Sequence, residues 1–258
     1  MMICILGAVR QEISKIRGGM SGREHRKLGN ADSWRGTWKG HDILLVRTGM
    51  GKAQAREALN RVFADLAVPR LIISTGYAGA TDPALSIGDI VVADRVLETP
   101  CATDEDFSAT RPVSEFCVDP VWTDKIMAIP AVGVKVSRGG LLTVDKPVCS
   151  PQAKKAVGER YRVQAVEMET SAMIALAAEK NVAFLSIRAV SDTVEDELID
   201  VSPFVGADGE VSPLQAGWHV LTHPGIIGEV LTLRQHACRA TDTLTHCLAS
   251  FLQTLPQI

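Results

Sequence analysis

Short apolar runs alternate with amphipathic segments along most of the chain. Five of the runs have the length of a strand: residues 2–8, 70–75, 89–96, 140–144 and 182–190. Between them, residues 52–66 and 168–180 carry apolar side chains at helical spacing. Strands that alternate with helices predict an α/β fold, in which a central, mostly parallel, twisted sheet is covered by helices on both faces.

The pattern also predicts smaller features beside this core. Residues 34–38 and 42–48 flank Lys39-Gly40-His41 and indicate a hairpin. Residues 18–32 are polar and glycine-rich and indicate a loop. Because no internal repeat and no clear linker divide the chain, we expect a single domain over residues 1–258.

The last part of the chain, from about residue 212 to residue 258, is predicted to be a helical extension of this domain. Within it, residues 236–255 place apolar side chains on one helical face: Ala240, Leu244, Cys247, Leu248, Phe251 and Leu255. Such a face has to be buried. We therefore expect it to pack on the domain, on a partner subunit or on an acyl-like ligand.

Composition and charge exclude several classes of protein. The 258 residues suffice for a sizeable core. With a net charge of −3 and scattered Lys and Arg residues, the chain has no electrostatic basis for binding nucleic acid. The six cysteines include no C-x-x-C pair, which favours free thiols. The chain has neither a basic leader nor the roughly 20 consecutive apolar residues of a membrane span, so we expect a cytoplasmic protein.

Three carboxylates that follow predicted strands are the candidate chemistry. Glu12 comes shortly after the first apolar run, and Asp192 follows the run 182–190. Glu169 follows a short strand-like run, residues 164–166, and lies at the start of the helical segment 168–180. Open α/β sheets bind ligands at the carboxyl ends of their strands, so these acids are placed where ligands bind. For Glu167 two interpretations are left open, a helix-start acid that favours the dipole and a site residue.

Five motifs occur in an order that is typical of one enzyme family. They are Gly7-Ala8-Val9-Arg10-Gln11-Glu12, Thr48-Gly49-Met50-Gly51-Lys52, Ser74-Thr75-Gly76-Tyr77-Ala78-Gly79, Val166-Glu167-Met168-Glu169 and Ser191-Asp192. On these motifs, which span roughly residues 1–195, the chain resembles the nucleoside phosphorylase superfamily, and within it the methylthioadenosine/S-adenosylhomocysteine nucleosidases. The resemblance implies a three-layer α/β sandwich that cleaves the bond between a purine and a ribose. It also implies a homodimer or higher homo-oligomer.

The resemblance further implies a role for individual residues. Asp192 matches the general acid at the base, Glu12 the acid that activates water, and Glu169 the residue that holds the ribose hydroxyls. The remaining matches are substrate-binding positions: Met168 against the sugar, Ser191 in support of Asp192, and the backbone of Ala78 and Gly79 beside the base. We expect a small purine nucleoside as the partner, and neither a metal nor another cofactor.

Elementary chemistry supports the same division of labour. Cleavage of an N-glycosidic bond produces an oxocarbenium-like sugar and an anionic base, so the leaving group gains from a carboxylic acid. The cationic sugar gains from negative charge, and two hydroxyls suit a bidentate carboxylate such as Glu169. A water on the opposite face needs a base, as in inverting glycosidases. Asp192 has to hold a proton near neutral pH, which burial or a neighbouring carboxylate would favour.

The nucleophile is predicted to be water rather than phosphate. Phosphorylases of the superfamily commonly use a Gly-Asp-Pro-x-Arg loop and a further arginine, but here the first loop is Gly7-Ala8-Val9-Arg10 and Ser74 occupies the second arginine's place. Glu12 would also repel a phosphate dianion. Arg10 and Arg47 leave the phosphorylase alternative open, and a nucleoside-binding module without catalysis is a further alternative.

The chain departs from the nucleosidase pattern in three places. Tyr77 replaces a small serine, and Pro147 lies near the place of an aromatic residue that usually stacks on the base. The tail after Val211 is longer than in the nucleosidases, and it is similar to that of hopanoid-associated phosphorylase-like proteins, which act on an adenosine with a large lipid at its 5′ end. The 5′ substituent is therefore left open. Membrane contact through a lipid-bearing substrate is not expected.

Overall fold

A computed structural model describes residues 2–99, 112, 114–130, 133–198 and 227–256. The strands are β1 (Ile3–Gly7), β2 (Ser21–Leu28), β3 (Ala31–Trp38), β4 (His41–Arg47), β5 (Leu71–Ala80), β6 (Ile90–Glu98), β7 (Ser114–Cys117), β8 (Val136–Thr143), β9 (Ala165–Glu167) and β10 (Ala183–Asp192). The helices are α1 (Arg10–Gly19), α2 (Lys52–Asp65), α3 (Pro120–Met127), α4 (Pro151–Tyr161), α5 (Thr170–Glu179) and α6 (Ile227–Thr254).

The described strands form one sheet whose centre is parallel. Strand β1 pairs in parallel with β4 on one side and β5 on the other, and β5 pairs in parallel with β10. The antiparallel pairings join β2, β3 and β4 at one edge. At the other edge, β5, β10, β6, β8 and β9 pair in a closed circuit that contains both parallel and antiparallel contacts. The predicted parallel arrangement therefore holds for the centre of a mixed sheet.

Helices cover both faces of the sheet, which confirms the predicted α/β fold. On one face of the sheet, α2 and α5 pack on side chains such as Cys4, Leu6 and Ile72. On the other face α1, α3 and α6 pack on the alternate residues, among them Ile5 and Ile73. The central strands are apolar on both faces because each face has its own helical layer.

The C-terminal helix α6 is part of this second layer. The predicted apolar face of α6 is buried at five positions: Ala240, Leu244, Leu248, Phe251 and Leu255. Its sixth member, Cys247, is partly buried. The helix packs on α1, β5 and β10. The face is thus covered by the domain itself. The part of the predicted extension before residue 227 lies outside the described residues.

The first hairpin was predicted and the strand beside it was not. Strands β3 and β4 pair as expected, and Lys39 and Gly40 at their turn have φ angles of 51° and 82°, the left-handed geometry that tight hairpin turns require. Residues 18–32 were expected to form a loop, but they contain β2. Seven of its eight residues are exposed, so the strand lacks the apolar alternation that identifies a half-buried strand.

Among the described helices, none is both long and apolar enough to cross a bilayer.

Candidate active site

A cavity of about 180 Å³ lies at the edge of the sheet where the parallel strands β1, β5 and β10 end. It is lined by all of the residues that the sequence indicated as catalytic or substrate-binding: Glu12, Tyr77, Ala78, Gly79, Pro147, Met168, Glu169, Ser191 and Asp192. Met50, Val144, Val148, Val166 and Leu198 add apolar surface to its wall. The three acids Glu12, Glu169 and Asp192 therefore line the same cavity.

Glu12 is held in the cavity by backbone amides. It lies in the first turn of α1, where its Oε2 accepts hydrogen bonds from Ala8 N at 2.7 Å and Val9 N at 2.9 Å. Its Oε1 accepts from Tyr77 N at 2.8 Å. Burial raises the pKa of Glu12, although the Arg188 charge and these amides oppose the increase. A carboxylate with a raised pKa is a better base than an ordinary one.

The approach of Glu12 to β5 requires a glycine. A Cβ atom at Gly76 would lie 2.5 Å from Glu12 Oε1 and 2.6 Å from Arg188 Nη1. Neither side chain could retreat without losing its own buried partners. The glycine of the Ser74-Thr75-Gly76 motif is therefore explained by close approach of a carboxylate and a guanidinium to the strand.

Glu169 precedes helix α5 and faces the same space. Its Oε1 accepts a hydrogen bond from Gly51 N at 2.8 Å, and its Oε2 lies 3.6 Å from Arg188 Nη1. Burial, helped by the nearby carboxylates Glu167 and Glu12, raises the pKa of Glu169 to about 7 against the opposing charge of Arg188. Glu169 therefore changes charge close to neutral pH.

Glu167 combines the two interpretations that the sequence left open. It lines the cavity, and its Oε2 accepts from Thr170 N at 2.8 Å and from Glu169 N at 3.0 Å, as a helix-start acid does. The same oxygen accepts from Arg188 Nη2 at 2.7 Å, and Oε1 accepts from Thr143 Oγ1. Both oxygens are thus engaged by the protein, and Glu167 fixes the guanidinium.

Arg188 is a site residue that the sequence analysis did not identify. It lies within β10 and is only 1% exposed. Its guanidinium donates to Ser74 Oγ at 3.0 Å and Thr170 Oγ1 at 2.8 Å, in addition to Glu167. A signal was available, because Arg188 is the one charged residue in the apolar run 182–190. A buried charge of this kind is retained only with partners.

Asp192 lies at a bulge at the end of β10. The pairing with β5 shifts register between Val190 and Asp192, so that Asp192 is opposite Gly79. Its Oδ1 accepts a hydrogen bond from Ser191 Oγ at 2.8 Å. A Cβ atom at Gly79 would lie 2.7 Å from Asp192 Oδ2, so this glycine too allows a close approach.

The charged neighbour of Asp192 corrects an expectation. Burial or a neighbouring carboxylate was expected to keep Asp192 protonated. Asp192 is indeed buried, but Lys154 Nζ lies 2.6 Å from its Oδ2. Lys154 was not identified from the sequence, because a Lys-Lys pair within a helical segment is typical of an exposed helix face.

Tyr77 connects the cavity to the C-terminal helix. Its backbone amide donates to Glu12, and its hydroxyl lies 2.5 Å from Thr241 Oγ1 on α6. Burial raises the pKa of Tyr77, so the hydroxyl stays protonated at neutral pH. The large residue at this position, where a serine was expected, therefore reaches through to the helix that covers the sheet.

The two arginines that left phosphate open as a nucleophile are not part of the cavity wall. Arg47 forms an ion pair with Asp32, which also contacts Lys27 and His25. Arg10 is exposed at the start of α1. Among the described residues that line the cavity there is neither a lysine nor an arginine.

Comparison with known proteins identifies related sequences. The family model described as the phosphorylase superfamily matches residues 2–211. A 5′-methylthioadenosine/S-adenosylhomocysteine nucleosidase from Tolumonas auensis is 29% identical over 206 residues, which cover 76% of this chain and 88% of the relative. The nucleosidase of the same description from Aeromonas salmonicida is 30% identical over 207 residues, covering 78% of this chain and 90% of the relative.

Solved structures share the fold. The nucleosidase of this type from Neisseria meningitidis, in complex with methylthio-immucillin-A, superposes with a TM-score of 0.76 at 20% identity and covers 98% of this chain and 99% of its own. Futalosine hydrolase from Helicobacter pylori superposes with a TM-score of 0.74 at 18% identity and covers 98% of each chain. The chain belongs to the phosphorylase superfamily. Its predicted resemblance to the methylthioadenosine/S-adenosylhomocysteine nucleosidases, and its assignment as an enzyme of that family, are confirmed.

Proposed function

We propose that the protein hydrolyses the N-glycosidic bond of a 5′-substituted adenosine and releases adenine. The observation that carries the proposal is the convergence of the buried acids Glu12, Glu169 and Asp192 on one cavity. The names of the relatives support an adenosine with a sulfur-linked 5′ group, so methylthioadenosine and S-adenosylhomocysteine are the first substrates to test.

Asp192 is proposed to protonate the purine as the glycosidic bond breaks. The electron pair of that bond leaves with the base, so a proton delivered to the base lowers the energy of the departing group. Ser191, which donates to Oδ1, supports this role because it holds the carboxyl group in one orientation. Ala78 and Gly79, which also line the cavity, are proposed to contact the base through their backbone.

Glu12 is proposed to take a proton from the attacking water, and Glu169 to bind the ribose hydroxyls. The raised pKa of Glu12, caused by burial, supports its action as a base. Glu169 has one oxygen toward Gly51 N and the other toward Arg188 Nη1, which supports a fixed position against a sugar. Met168 is proposed to cover the apolar face of that sugar, since it also lines the cavity.

Water is favoured over phosphate on electrostatic grounds. A phosphate dianion needs cationic partners, and none of the described residues lining the cavity carries a positive side chain. Arg188 is not among the lining residues, and its guanidinium is already paired with Glu167 and lies close to Glu169. The buried carboxylates Glu12 and Glu169 would repel the dianion. Assembly as a homo-oligomer and a cytoplasmic location stay predictions.

The experiment is a panel of adenosines with hydrogen, methylthio, homocysteinyl and long alkyl groups at the 5′ carbon, each incubated with and without phosphate. Free adenine and the sugar product are quantified. We expect adenine and the free sugar with the sulfur-linked compounds, independent of phosphate. A stoichiometric sugar 1-phosphate would make the protein a phosphorylase, and tight binding without turnover of any compound would make it a binding module.

A further inference from the structure

The ammonium group of Lys154 is built into the wall behind Asp192. Lys154 lies in the first turn of α4, which begins where Ser150 Oγ accepts a hydrogen bond from Ala153 N at 3.2 Å. Its side chain is 0% exposed, and its Nζ lies 2.6 Å from Asp192 Oδ2. The same nitrogen donates to Thr193 O at 3.0 Å and Asp196 O at 2.8 Å.

These three contacts surround the ammonium group, two of them as hydrogen bonds and one as an ion pair. Two of them fix the backbone that follows Asp192, and the third faces its carboxyl group. Because Ser191 Oγ holds the other carboxyl oxygen, both oxygens of Asp192 have a partner, and the group cannot turn without breaking one contact.

The neighbouring Lys155 shows what an ordinary surface lysine does on the same helix. Its side chain is 48% exposed and pairs with Glu195, which is 67% exposed. A pair of that kind contributes little to stability. Lys154, in contrast, is completely buried, and a buried ammonium is retained only where its partners offset its lost hydration. Its place beside the candidate general acid therefore points to a role at the site.

We propose that Lys154 is a positioning residue for Asp192, and this role rests on the proposed function. The ammonium group fixes the carboxyl group against the base. When the Asp192 O–H bond breaks and the N–H bond of the leaving base forms, Asp192 is left as a carboxylate. The ammonium group, 2.6 Å from Oδ2, holds the carboxyl group in one position while the proton is transferred.

The test uses four variants of the full chain: Lys154→Met, Asp192→Asn, the double variant and Lys155→Met as the matched surface control. Steady-state adenine release gives kcat and KM for each. For Lys154→Met we expect a loss on the order of 10²-fold in kcat, since misplacing a catalytic group has about that effect, with little change in KM. Lys155→Met should match the parent.

The double variant separates positioning from a general effect on the fold. If Lys154 acts through Asp192, adding Lys154→Met to Asp192→Asn removes no further activity. This comparison holds even where Lys154→Met alone folds poorly. The double variant has an amide at position 192 in place of the carboxyl group, so the loss of Lys154 leaves no unpaired carboxylate in it.

Two results would overturn the role of Lys154. One is a parental kcat for Lys154→Met, and the other is a further loss in the double variant equal to that of Lys154→Met alone. A parent that releases no adenine overturns the proposed function and this role with it, whereas an active parent with an unaffected Lys154→Met variant overturns this role alone.

Discussion

Arg188 and Glu167 form a buried ion pair in which Nη2 and Oε2 are 2.7 Å apart and each side chain is 1% exposed. The pair joins β10 to the start of α5, because Glu167 also accepts hydrogen bonds from the backbone amides of Glu169 and Thr170. From this fixed position the guanidinium lies 3.6 Å from Glu169. Burial raises the pKa of Glu12, and the positive charge of Arg188 opposes that increase. One cation thus organises the three carboxylates Glu12, Glu167 and Glu169.

Arg188→Met should destabilise the protein strongly. It leaves the Glu167 carboxylate buried without its cation, and breaking a buried pair in this way costs about 3–5 kcal/mol. Denaturant unfolding measures the loss. Arg56→Met is the matched control, since Arg56 pairs with Glu179 at an exposed position and should change stability by less than about 0.5 kcal/mol. Equal losses in the two variants would contradict the organising role of Arg188.

Glu12→Gln and Glu169→Gln should affect catalysis differently. Glu12 is proposed to act on water, so Glu12→Gln should abolish most turnover while nucleoside binding persists. Glu169 is proposed to hold the ribose, so Glu169→Gln should weaken binding as well as turnover. Calorimetric titration of a nucleoside into both variants, alongside turnover measurements, distinguishes them. The same loss of affinity in both would refute the division of roles.

The raised pKa of Glu169 should make stability depend on pH. Burial raises this pKa to about 7 in the folded protein, above the value of roughly 4.3 expected in the unfolded chain. Between these values the folded state binds more protons, so stability should fall as pH rises from about 4.3 to about 7. Each unit of pKa difference corresponds to about 1.4 kcal/mol.

Thermal unfolding of the parent and Glu169→Gln across this pH range measures the effect. The variant should lose this component of the pH dependence and gain in relative stability toward neutral pH. Glu179→Gln, at an exposed position of the same helix, is the control and should follow the parent. Parallel pH profiles for the parent and Glu169→Gln would contradict a raised pKa at this position.

The apolar face of α6 should be essential to the fold. Phe251 is completely buried among residues of the sheet and α3, so Phe251→Ala should cost about 3–5 kcal/mol of unfolding free energy. Gln253→Ala, on the exposed side of the same helix, should be close to neutral. Unfolding by urea compares the two. A small effect of Phe251→Ala would show that α6 is not part of the core.

The sequence predicted the parts of the structure that follow from local pattern. The acids Glu12, Glu169 and Asp192 could be found because each follows a strand-like run, and parallel strands bring such positions to one edge. Strand β2 could not be found, since an exposed strand carries no apolar alternation. Arg188 had a signal, as the one charged residue of an apolar run, but its partners Glu167 and Ser74 come together only in the folded protein. Lys154 could not be assigned, because a lysine in a helix gives no sign of burial.

The most direct test of the proposed chemistry is adenine release from methylthioadenosine by the parent and by Asp192→Asn, measured in phosphate buffer together with the sugar product. A general acid contributes on the order of 10²–10⁴ in rate. We expect the parent to release adenine with free methylthioribose, and the variant to lose activity by that factor. Because Asp192→Asn leaves the Lys154 ammonium group buried without its carboxylate, we expect a lower melting temperature for the variant, and both proteins are assayed below their melting temperatures. An Asp192→Asn variant that turns over within a few-fold of the parent would contradict the account.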